Sequence, residues 1–237
     1  MAAVIFITGT DTGAGKTILT ALICERLQQC GTRVFAWKPF SSGGREDAAL
    51  LRSILSTDPQ GGVEIGINKV NPFAFRSGVT PLLAARQEGF VVRQQDVTTQ
   101  LNQIRSETEV VLVEGAGGLL SPLGEGFSAL ELICEWKCPV LIAARNRLGV
   151  INQVRLTVAA LHSAGVSRMA LALSDEESED ASSTSNASLI RECLPQLPQV
   201  TIPYLGGNLT TAELIRQNVS RLTLPLQTLI GALLDPT

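Results

Sequence analysis

The chain has 237 residues, a net charge of −3 and 45% hydrophobic residues, and its length suffices for one sizeable α/β domain. It shows no run of basic residues, which argues against binding to nucleic acid or to a membrane surface. Its five cysteines are an odd number and lie mostly in apolar or helical stretches, so we expect buried free thiols rather than disulfides or a zinc site. No basic region precedes the first apolar run, and we therefore predict a cytoplasmic protein.

The first motif joins a predicted buried strand to a predicted helix. Residues 4–8 form an uninterrupted run of β-branched and aromatic residues, and the apolar residues after Thr17 recur at helical spacing. The turn between them reads Gly9-Thr-Asp-Thr-Gly-Ala-Gly-Lys-Thr17, and its glycines allow backbone N–H groups to surround phosphate oxygens. We predict a phosphate-binding loop one residue longer than the usual pattern, with Lys16 on the outer phosphates and the Thr17 hydroxyl on magnesium.

Three charged residues lie at the ends of further predicted elements. Lys38 follows a short strand over residues 34–37 and would face the crevice in which open α/β sheets bind ligands, although a solvated lysine would show the same pattern. Asp47 lies in the first turn of a helical pattern, where an acid favours the helix dipole whatever its function. Glu114 ends a buried strand and precedes small residues that admit a ligand, which is typical of a magnesium-side acid beside phosphates.

The rest of the chain alternates between strands and helices. We predict loop structure over 56–70, an extended segment over 71–75 and a mobile acidic, serine-rich loop over 174–186. Further strands are predicted at 139–144, 169–173 and 199–203, and helices at 80–87, 97–104, 127–136, 150–164, 189–193, 211–217 and 226–234. The start of the 150–164 helix is a candidate anion site, whereas His162 within it is expected to be structural. This alternation predicts a single domain over residues 1–237 with a doubly wound, mostly parallel sheet.

Five motifs, taken together in chain order, resemble those of the dethiobiotin synthetase family. They are the loop from Gly9 to Thr17, Lys38-Pro39 with Ser42-Gly43, Asn71-Pro72-Phe73, Glu114-Gly-Ala-Gly-Gly118, and Leu148-Gly149 before Asn152. The extra residue in the phosphate loop is also that family's form. The resemblance implies a fold of the P-loop NTPase type and a ligase that uses ATP and Mg²⁺ to convert 7,8-diaminononanoate and CO₂ to the cyclic urea dethiobiotin. The reaction, a step of biotin biosynthesis, would pass through a carbamate and a carbamic-phosphoric anhydride.

The resemblance also implies roles for individual residues. Lys16 and Lys38 would be catalytic, Lys38 by stabilising the carbamate and the charge that grows during phosphoryl transfer. The residues implied for ATP binding are Gly13, Ala14, Gly15, Lys16, Thr17, Ile18, Glu114, Gly115, Ala116, Gly117, Ser174, Asp175 and Pro203. Those implied for magnesium are Thr17, Asp47 and Glu114. Thr12 and Ser42 would hold the diamine and carbamate end, and a homodimer would present Gly149, Val150, Ile151 and Asn152 to the distal carboxylate of the substrate across its interface.

The chain departs from the family pattern at four places. The loop between Ser42 and Asp47 is shorter than we expect for the family, and whether Asp47 reaches the metal depends on this loop. Leu82 stands where the family commonly has histidine, which bears on the substrate pocket or the dimer surface. Ser174 stands where an asparagine reads adenine, which bears on selectivity for ATP, and the match beyond Pro203 is poor.

Other classes of protein share a loop of this kind. An amide ligase of the cobyrinate type usually carries a fused glutaminase domain, for which 237 residues leave no room. A partition or septum-placement ATPase, which works as a nucleotide-switched dimer, typically has a second lysine early in the loop, where this chain has Thr10-Asp11-Thr12. A synthetase relative with lost or changed activity is the third alternative. The partners expected for the synthetase are small molecules, namely the diamine, CO₂ or bicarbonate, and ATP.

Overall fold

The computed structural model describes residues 2–55, 65–178, 180–207 and 209–235. The strands within these ranges are β1 (Ala3–Gly9), β2 (Val34–Trp37), β3 (Phe40–Ser42), β4 (Phe73–Phe75), β5 (Val110–Glu114), β6 (Val140–Arg145), β7 (Met169–Ser174) and β8 (Gln199–Ile202). The helices are α1 (Lys16–Gln29), α2 (Glu46–Leu55), α3 (Ile67–Val70), α4 (Pro81–Gln87), α5 (Gln94–Arg105), α6 (Ala129–Trp136), α7 (Val150–Ser163), α8 (Ser183–Cys193), α9 (Ala212–Arg221) and α10 (Thr223–Leu234).

The central sheet places β1 beside the strands whose ends carry the charged residues. Its order is β2-β5-β1-β6-β7-β8, and each neighbouring pair is parallel. In this register Ile7 lies opposite Glu114, and Trp37 lies opposite Val113. Because parallel strands end at one edge of the sheet, the phosphate loop, Lys38 and Glu114 come together there. The predicted α/β class with a mostly parallel sheet flanked by helices is confirmed.

The strands that lead into the site are held by apolar packing. All five residues of β5 are buried, as are Phe6 and Trp37 on β1 and β2. The ring of Trp136, at the end of α6, lies 6.1 Å from that of Phe6 and 6.5 Å from that of Trp37, measured between centroids. Large aromatic side chains bury enough apolar area to dominate local packing, so α6 fixes the two strands relative to each other.

Three sequence expectations differ from the structure. Helix α8 begins at Ser183, inside the predicted mobile loop, because Asp180 accepts hydrogen bonds from the backbone N–H groups of Ser182 and Ser183 and Asn186 is buried. Helix α3 lies within the predicted loop over 56–70, of which residues 56–64 are outside the described ranges. Strand β3 was not predicted, and it pairs with β4 in a separate two-stranded parallel sheet.

The cysteines are only partly buried. Cys24 and Cys138 are buried, and burial raises the pKa of Cys138 to about 12, so this thiol stays protonated. Cys30, Cys134 and Cys193 are exposed, so the expectation of buried thiols is wrong for these three. Cys30 directly follows α1 and Cys193 ends α8, whereas Cys134 lies on α6 next to the buried Ile133.

Over the described ranges, none of the helices combines the length and the apolar character needed to span a membrane.

Candidate functional site

The phosphate loop turns tightly between β1 and α1. Gly13 and Gly15 have φ values of +74° and +89°, in the left-handed region that side chains disfavour. A Cβ atom on Gly9 would lie 2.9 Å from the backbone oxygen of Asp11 and 3.0 Å from Nζ of Lys16. Lys16 Nζ donates to that same Asp11 oxygen at 3.1 Å, so its chain folds back over the loop. The first glycine of the motif is therefore required by the close approach of the loop to its own lysine.

The structure brings the charged residues singled out in the sequence into one cluster. Glu114 has no exposed surface, and its Oε1 accepts hydrogen bonds from the Thr17 hydroxyl at 2.7 Å and from Lys38 Nζ at 2.5 Å. Lys38 Nζ also lies 3.0 Å from Oδ2 of Asp47, whose side chain is 54% exposed. Despite the short connection after Ser42, the start of α2 thus places Asp47 in the cluster.

The two lysines of the cluster have different electrostatic surroundings. Burial lowers the pKa of Lys38, but the negative charges of Glu114 and Asp47 and their hydrogen bonds outweigh burial, and the net pKa is raised. Burial lowers the pKa of Lys16 to about 8, with the carboxylate of Glu114 acting in the opposite direction. Both side chains are largely protonated at neutral pH, so the loop faces two positive charges suited to phosphate oxygens.

The donor set around Glu114 fits a magnesium ion. Oε2 of Glu114 is buried and has no hydrogen-bond partner among the described residues, although a buried carboxylate oxygen is normally satisfied. The Thr17 hydroxyl and the Asp47 carboxylate supply further oxygen donors beside it. Hard oxygen ligands of this kind are those that Mg²⁺ prefers.

A cleft of about 1390 Å³ opens above the cluster. The predicted site residues that line it are Thr12, Gly13, Gly15, Lys16, Thr17, Ile18, Lys38, Ser42, Asp47, Glu114, Ala116 and Gly117. Thr80 and Pro81 at the start of α4 line another part of the wall, and a third part is lined by Gly206, Leu209, Thr210, Thr211 and Ala212. The cleft therefore brings most of the predicted phosphate residues together with the predicted metal and carbamate residues.

Other predicted residues lie around this cleft without lining it. Ala14 is buried, and a Cβ on Gly115 would lie 3.0 Å from the Phe6 ring. Oγ of Ser174 lies 3.8 Å from the Cβ position of Gly15, beside the loop. The carboxylate of Asp175 accepts a hydrogen bond from the Asn146 amide at 2.7 Å. Pro203, which directly follows β8, is exposed.

The predicted carboxylate site lies elsewhere on the molecule. Gly149, with φ +93°, caps the start of α7, which contains Val150, Ile151 and Asn152. Asn152 lines a second cavity of about 600 Å³ between α7 and α8, together with residues that include Arg155 and His162. In the single chain, residues 149–152 therefore do not line the large cleft.

The sequence analysis missed a buried polar network that holds the Lys38 segment. Asn71 has no exposed surface, and its amide donates to the backbone oxygen of Lys38 at 2.8 Å. Its Oδ1 accepts from the Ser41 hydroxyl at 2.8 Å and from Arg45 Nε at 3.0 Å. Arg45 also donates to Oδ1 of Asn68 and to the backbone oxygens of Ile67 and Asn71.

This network ties the segment from Lys38 to Asp47 onto α3. Both the lysine and the aspartate of the cluster are carried by that segment, so their positions depend on Asn71 and Arg45. The Asn71-Pro72 pair was the available sequence signal. The sequence alone did not reveal the function of Asn71, because its partners lie 26 to 33 residues away along the chain.

Comparison with known proteins identifies the family. A family model described as an AAA domain matches residues 3–206. The ATP-dependent dethiobiotin synthetase of Akkermansia muciniphila is 32% identical over 187 residues, which cover 78% of this chain and 85% of that protein. The chain belongs to the dethiobiotin synthetase family. The corresponding synthetase of Bacillus subtilis strain 168 is 30% identical over 220 residues, which cover 90% of each chain. The family inferred from the motifs is thus confirmed.

Solved structures similar to this synthetase family member show its fold. The MinD cell division protein of Aquifex aeolicus has a TM-score of 0.55 and 16% identity, covering 98% of this chain and 94% of its own. A ParA family ATPase from Chlorobium tepidum has a TM-score of 0.57 and 14% identity, covering 99% and 98%. At such low identity the likeness extends to the architecture alone, and it agrees with the predicted α/β fold with a mostly parallel sheet.

Asn71→Ala should destabilise the protein by about 2–4 kcal/mol, because it leaves buried polar partners unsatisfied on Lys38, Ser41 and Arg45. Urea unfolding measures the loss. Asn102→Ala, at an exposed position on α5, is the matched control and should stay within about 0.5 kcal/mol of the wild type. A loss for Asn71→Ala no larger than that of the control would show that the network does not hold the segment.

Proposed function

We propose that this protein is an ATP-dependent dethiobiotin synthetase, a ligase of biotin biosynthesis. It joins 7,8-diaminononanoate and CO₂ into a cyclic urea at the expense of ATP. The observation that carries this proposal is the buried Lys38–Glu114 pair beside the phosphate loop, in a chain that belongs to this family. A cationic group at that place is what an anionic carbamate needs when it approaches the terminal phosphate.

The proposed reaction has three steps. One amine of the substrate adds to CO₂ and loses a proton, which gives a carbamate. A carbamate oxygen then attacks the γ-phosphorus of ATP, and ADP leaves. The second amine attacks the carbonyl carbon of the mixed anhydride, the carbon–oxygen bond breaks, and phosphate leaves with the formation of the ring.

The protein contributes positioning and charge to these steps. The backbone from Gly13 to Thr17, with Ile18 and the Gly115–Gly117 turn, cradles the phosphates of ATP. Lys16 neutralises the transferred phosphoryl group. Lys38 stabilises the carbamate and the charge on the oxygens that flank the γ-phosphorus, and the carboxylates of Glu114 and Asp47 raise its pKa, which favours its cationic form. Burial beside the loop strengthens both interactions, because the local dielectric is low.

Magnesium completes the charge balance at the phosphates. Thr17, Asp47 and Glu114 would hold it, and the unpartnered Oε2 of Glu114 supports this assignment. When bound, the ion neutralises phosphate charge and polarises the phosphoryl oxygens.

We assign the diamine to a site that two chains share. Thr12 and Ser42 line the cleft and would contact the carbamate end of the substrate. Gly149, Val150, Ile151 and Asn152 lie outside that cleft, so we assign them to the distal carboxylate held by a second copy of the chain. The protein would therefore work as a homodimer in the cytoplasm, with small molecules rather than nucleic acid or membrane as its partners.

The base of the nucleotide would lie near Ser174, Asp175 and Pro203. The Asp175 carboxylate accepts a hydrogen bond from the Asn146 amide, and Ser174 offers a short hydroxyl group where the family pattern has an amide. A hydroxyl cannot form the paired hydrogen bonds by which an amide reads adenine. Selectivity for ATP over other triphosphates should therefore be modest.

Phosphate release from ATP tests the proposed function. With magnesium and bicarbonate, release should depend on 7,8-diaminononanoate, and mass spectrometry should detect the cyclic urea. Lys16→Ala should lower turnover by at least about a thousandfold, since it removes a charge on the transferred group. Lys69→Ala, which removes an exposed lysine that does not line the cleft and its surface ion pair with Glu107, should retain normal turnover. Diamine-independent release would instead indicate a nucleotide-switch ATPase.

The magnesium assignment predicts a graded loss in two variants. Glu114→Gln should raise the magnesium concentration needed for half-maximal turnover by about a hundredfold, and Asp47→Asn by about tenfold. The difference follows from burial, since Glu114 is fully buried and Asp47 is half exposed. Glu107→Gln, an exposed acid, is the control. Unchanged magnesium dependence in Asp47→Asn would remove Asp47 from the ligand set.

Mixed dimers test whether the site is shared between two chains. Lys16→Ala and Asn152→Ala homodimers should each be nearly inactive. If the loop of one chain works with residues 149–152 of the other, subunit exchange restores one intact site in each mixed dimer, or about a quarter of wild-type activity overall. Recovery can be followed as phosphate release after mixing. An absence of recovery, with exchange verified by tagged subunits, would show that both residues act within one chain.

A further inference from the structure

Arg145 is a charged residue beside the phosphate loop that neither the motifs nor the proposed chemistry use. It ends β6, the neighbour of β1, and its side chain reaches back to the loop. We propose that Arg145 is a positioning residue for the nucleotide: it fixes the Gly13 peptide and ties the phosphate loop to the segment that follows β7. The proposal rests on the nucleotide site assigned above.

The guanidinium group contacts Gly13 directly. Nε of Arg145 donates a hydrogen bond to the backbone oxygen of Gly13. Nη2 lies 3.2 Å from the position that a Cβ atom on Gly13 would occupy. Any larger residue at position 13 would meet this group, in addition to the strain of a left-handed φ of +74°. The position of the Arg145 guanidinium group therefore requires glycine at position 13.

The hydrogen bond to Gly13 also orients a phosphate donor. The described peptide bonds are trans, so the C=O and N–H groups of one peptide unit point in opposite directions. The oxygen of Gly13 shares its peptide unit with the N–H of Ala14. By holding that oxygen on its own side, Arg145 keeps the Ala14 N–H directed away from the guanidinium group. Backbone N–H groups fixed in this way are the donors through which a loop of this kind binds phosphate.

A second contact joins the arginine to the β7 side of the nucleotide site. Nη1 of Arg145 lies 2.8 Å from Oε1 of Glu176, two residues beyond Ser174. Oγ of Ser174 in turn approaches the Cβ position of Gly15 at 3.8 Å. The planar guanidinium fork thus links the loop over 13–15 to the segment over 174–176. Arg145 therefore joins the residues proposed to bind the phosphates to those proposed to bind the nucleotide base.

The physical consequence is preorganisation of the loop. Charge-assisted hydrogen bonds are stronger and shorter than neutral ones, and the geometry of the fork fixes both partners at once. Without Arg145, ATP or ADP would have to order the Gly13 peptide on binding, which weakens affinity. A lysine offers a single flexible point charge, so it can replace only part of this function.

The experiment measures ADP affinity by calorimetry in the presence of magnesium, together with the KM for ATP and kcat. Arg145→Met should weaken ADP binding and raise the KM for ATP by about tenfold, a loss in line with one charge-assisted hydrogen bond. Arg145→Lys should recover part of that loss, and Glu176→Gln should show a smaller loss of about threefold. The KM for the diamine should not change.

The controls separate positioning from folding. Arg191→Met, at an exposed arginine of α8, should match the wild type in every measurement. A purely structural role would lower the urea midpoint of Arg145→Met and leave the ADP affinity of the folded protein within twofold of the wild type, and that result would overturn the proposal. Equal losses in Arg145→Lys and Arg145→Met would overturn the part assigned to charge.

ADP binding needs neither CO₂ nor the diamine. If the wild type binds ADP and makes no dethiobiotin, the proposed function fails while the assignment of Arg145 is still decided by the affinities. If the wild type binds no ADP, both proposals fail.

Discussion

The buried charge of Glu114 is the constraint on which the rest of the site depends. A carboxylate without exposed surface is strongly disfavoured unless it is paired and hydrogen-bonded. Here the fully buried strand β5 carries it to the edge of the sheet, and the Thr17 hydroxyl and the Lys38 ammonium group satisfy one oxygen. Removing one partner of such a pair typically costs about 3–5 kcal/mol, so the strand ends of β2 and β5 and the start of α1 are fixed relative to one another.

That arrangement also leaves the site prepared for ligands. The second oxygen of Glu114 lacks a partner among the described residues, and Lys38 is shared between Glu114 and the more exposed Asp47. Asn71 and Arg45 hold the segment that carries Lys38 and Asp47, and Arg145 holds the loop from its opposite side. Asn71 and Arg145, from two other parts of the chain, therefore support the segment and the loop that form the site, and preorganisation of this kind keeps charged groups in place.

The sequence predicted those parts of the site that depend on local pattern. The glycine-rich turn between a buried strand and a helix identified Lys16 and Thr17, and the position of Lys38 and Glu114 directly at strand ends placed them at the same edge of a parallel sheet. Asp47 was assigned through the resemblance to a family, since an acid in a first helical turn has an ordinary explanation in the helix dipole.

What the sequence could not provide depends on tertiary contacts. The function of Asn71 requires that residues far apart in the chain meet around one buried amide. Helix α8 starts earlier than predicted because Asp180 caps it and Asn186 is buried against Asn146, and neither interaction has a periodic signature. Arg145 occupies a strand end, as Lys38 does, but only the structure shows that its guanidinium group reaches Gly13.

The proposed reaction requires that a carbamate oxygen, held by Lys38, attacks the terminal phosphate of ATP. The most direct measurement uses CO₂ labelled with ¹⁸O, supplied with the diamine and ATP and quenched before the label exchanges with water. One labelled oxygen should appear in the released phosphate and the other in the carbonyl of the cyclic urea. Released phosphate without the label, whose fourth oxygen comes from water, would instead show that ATP is hydrolysed without activation of a carbamate.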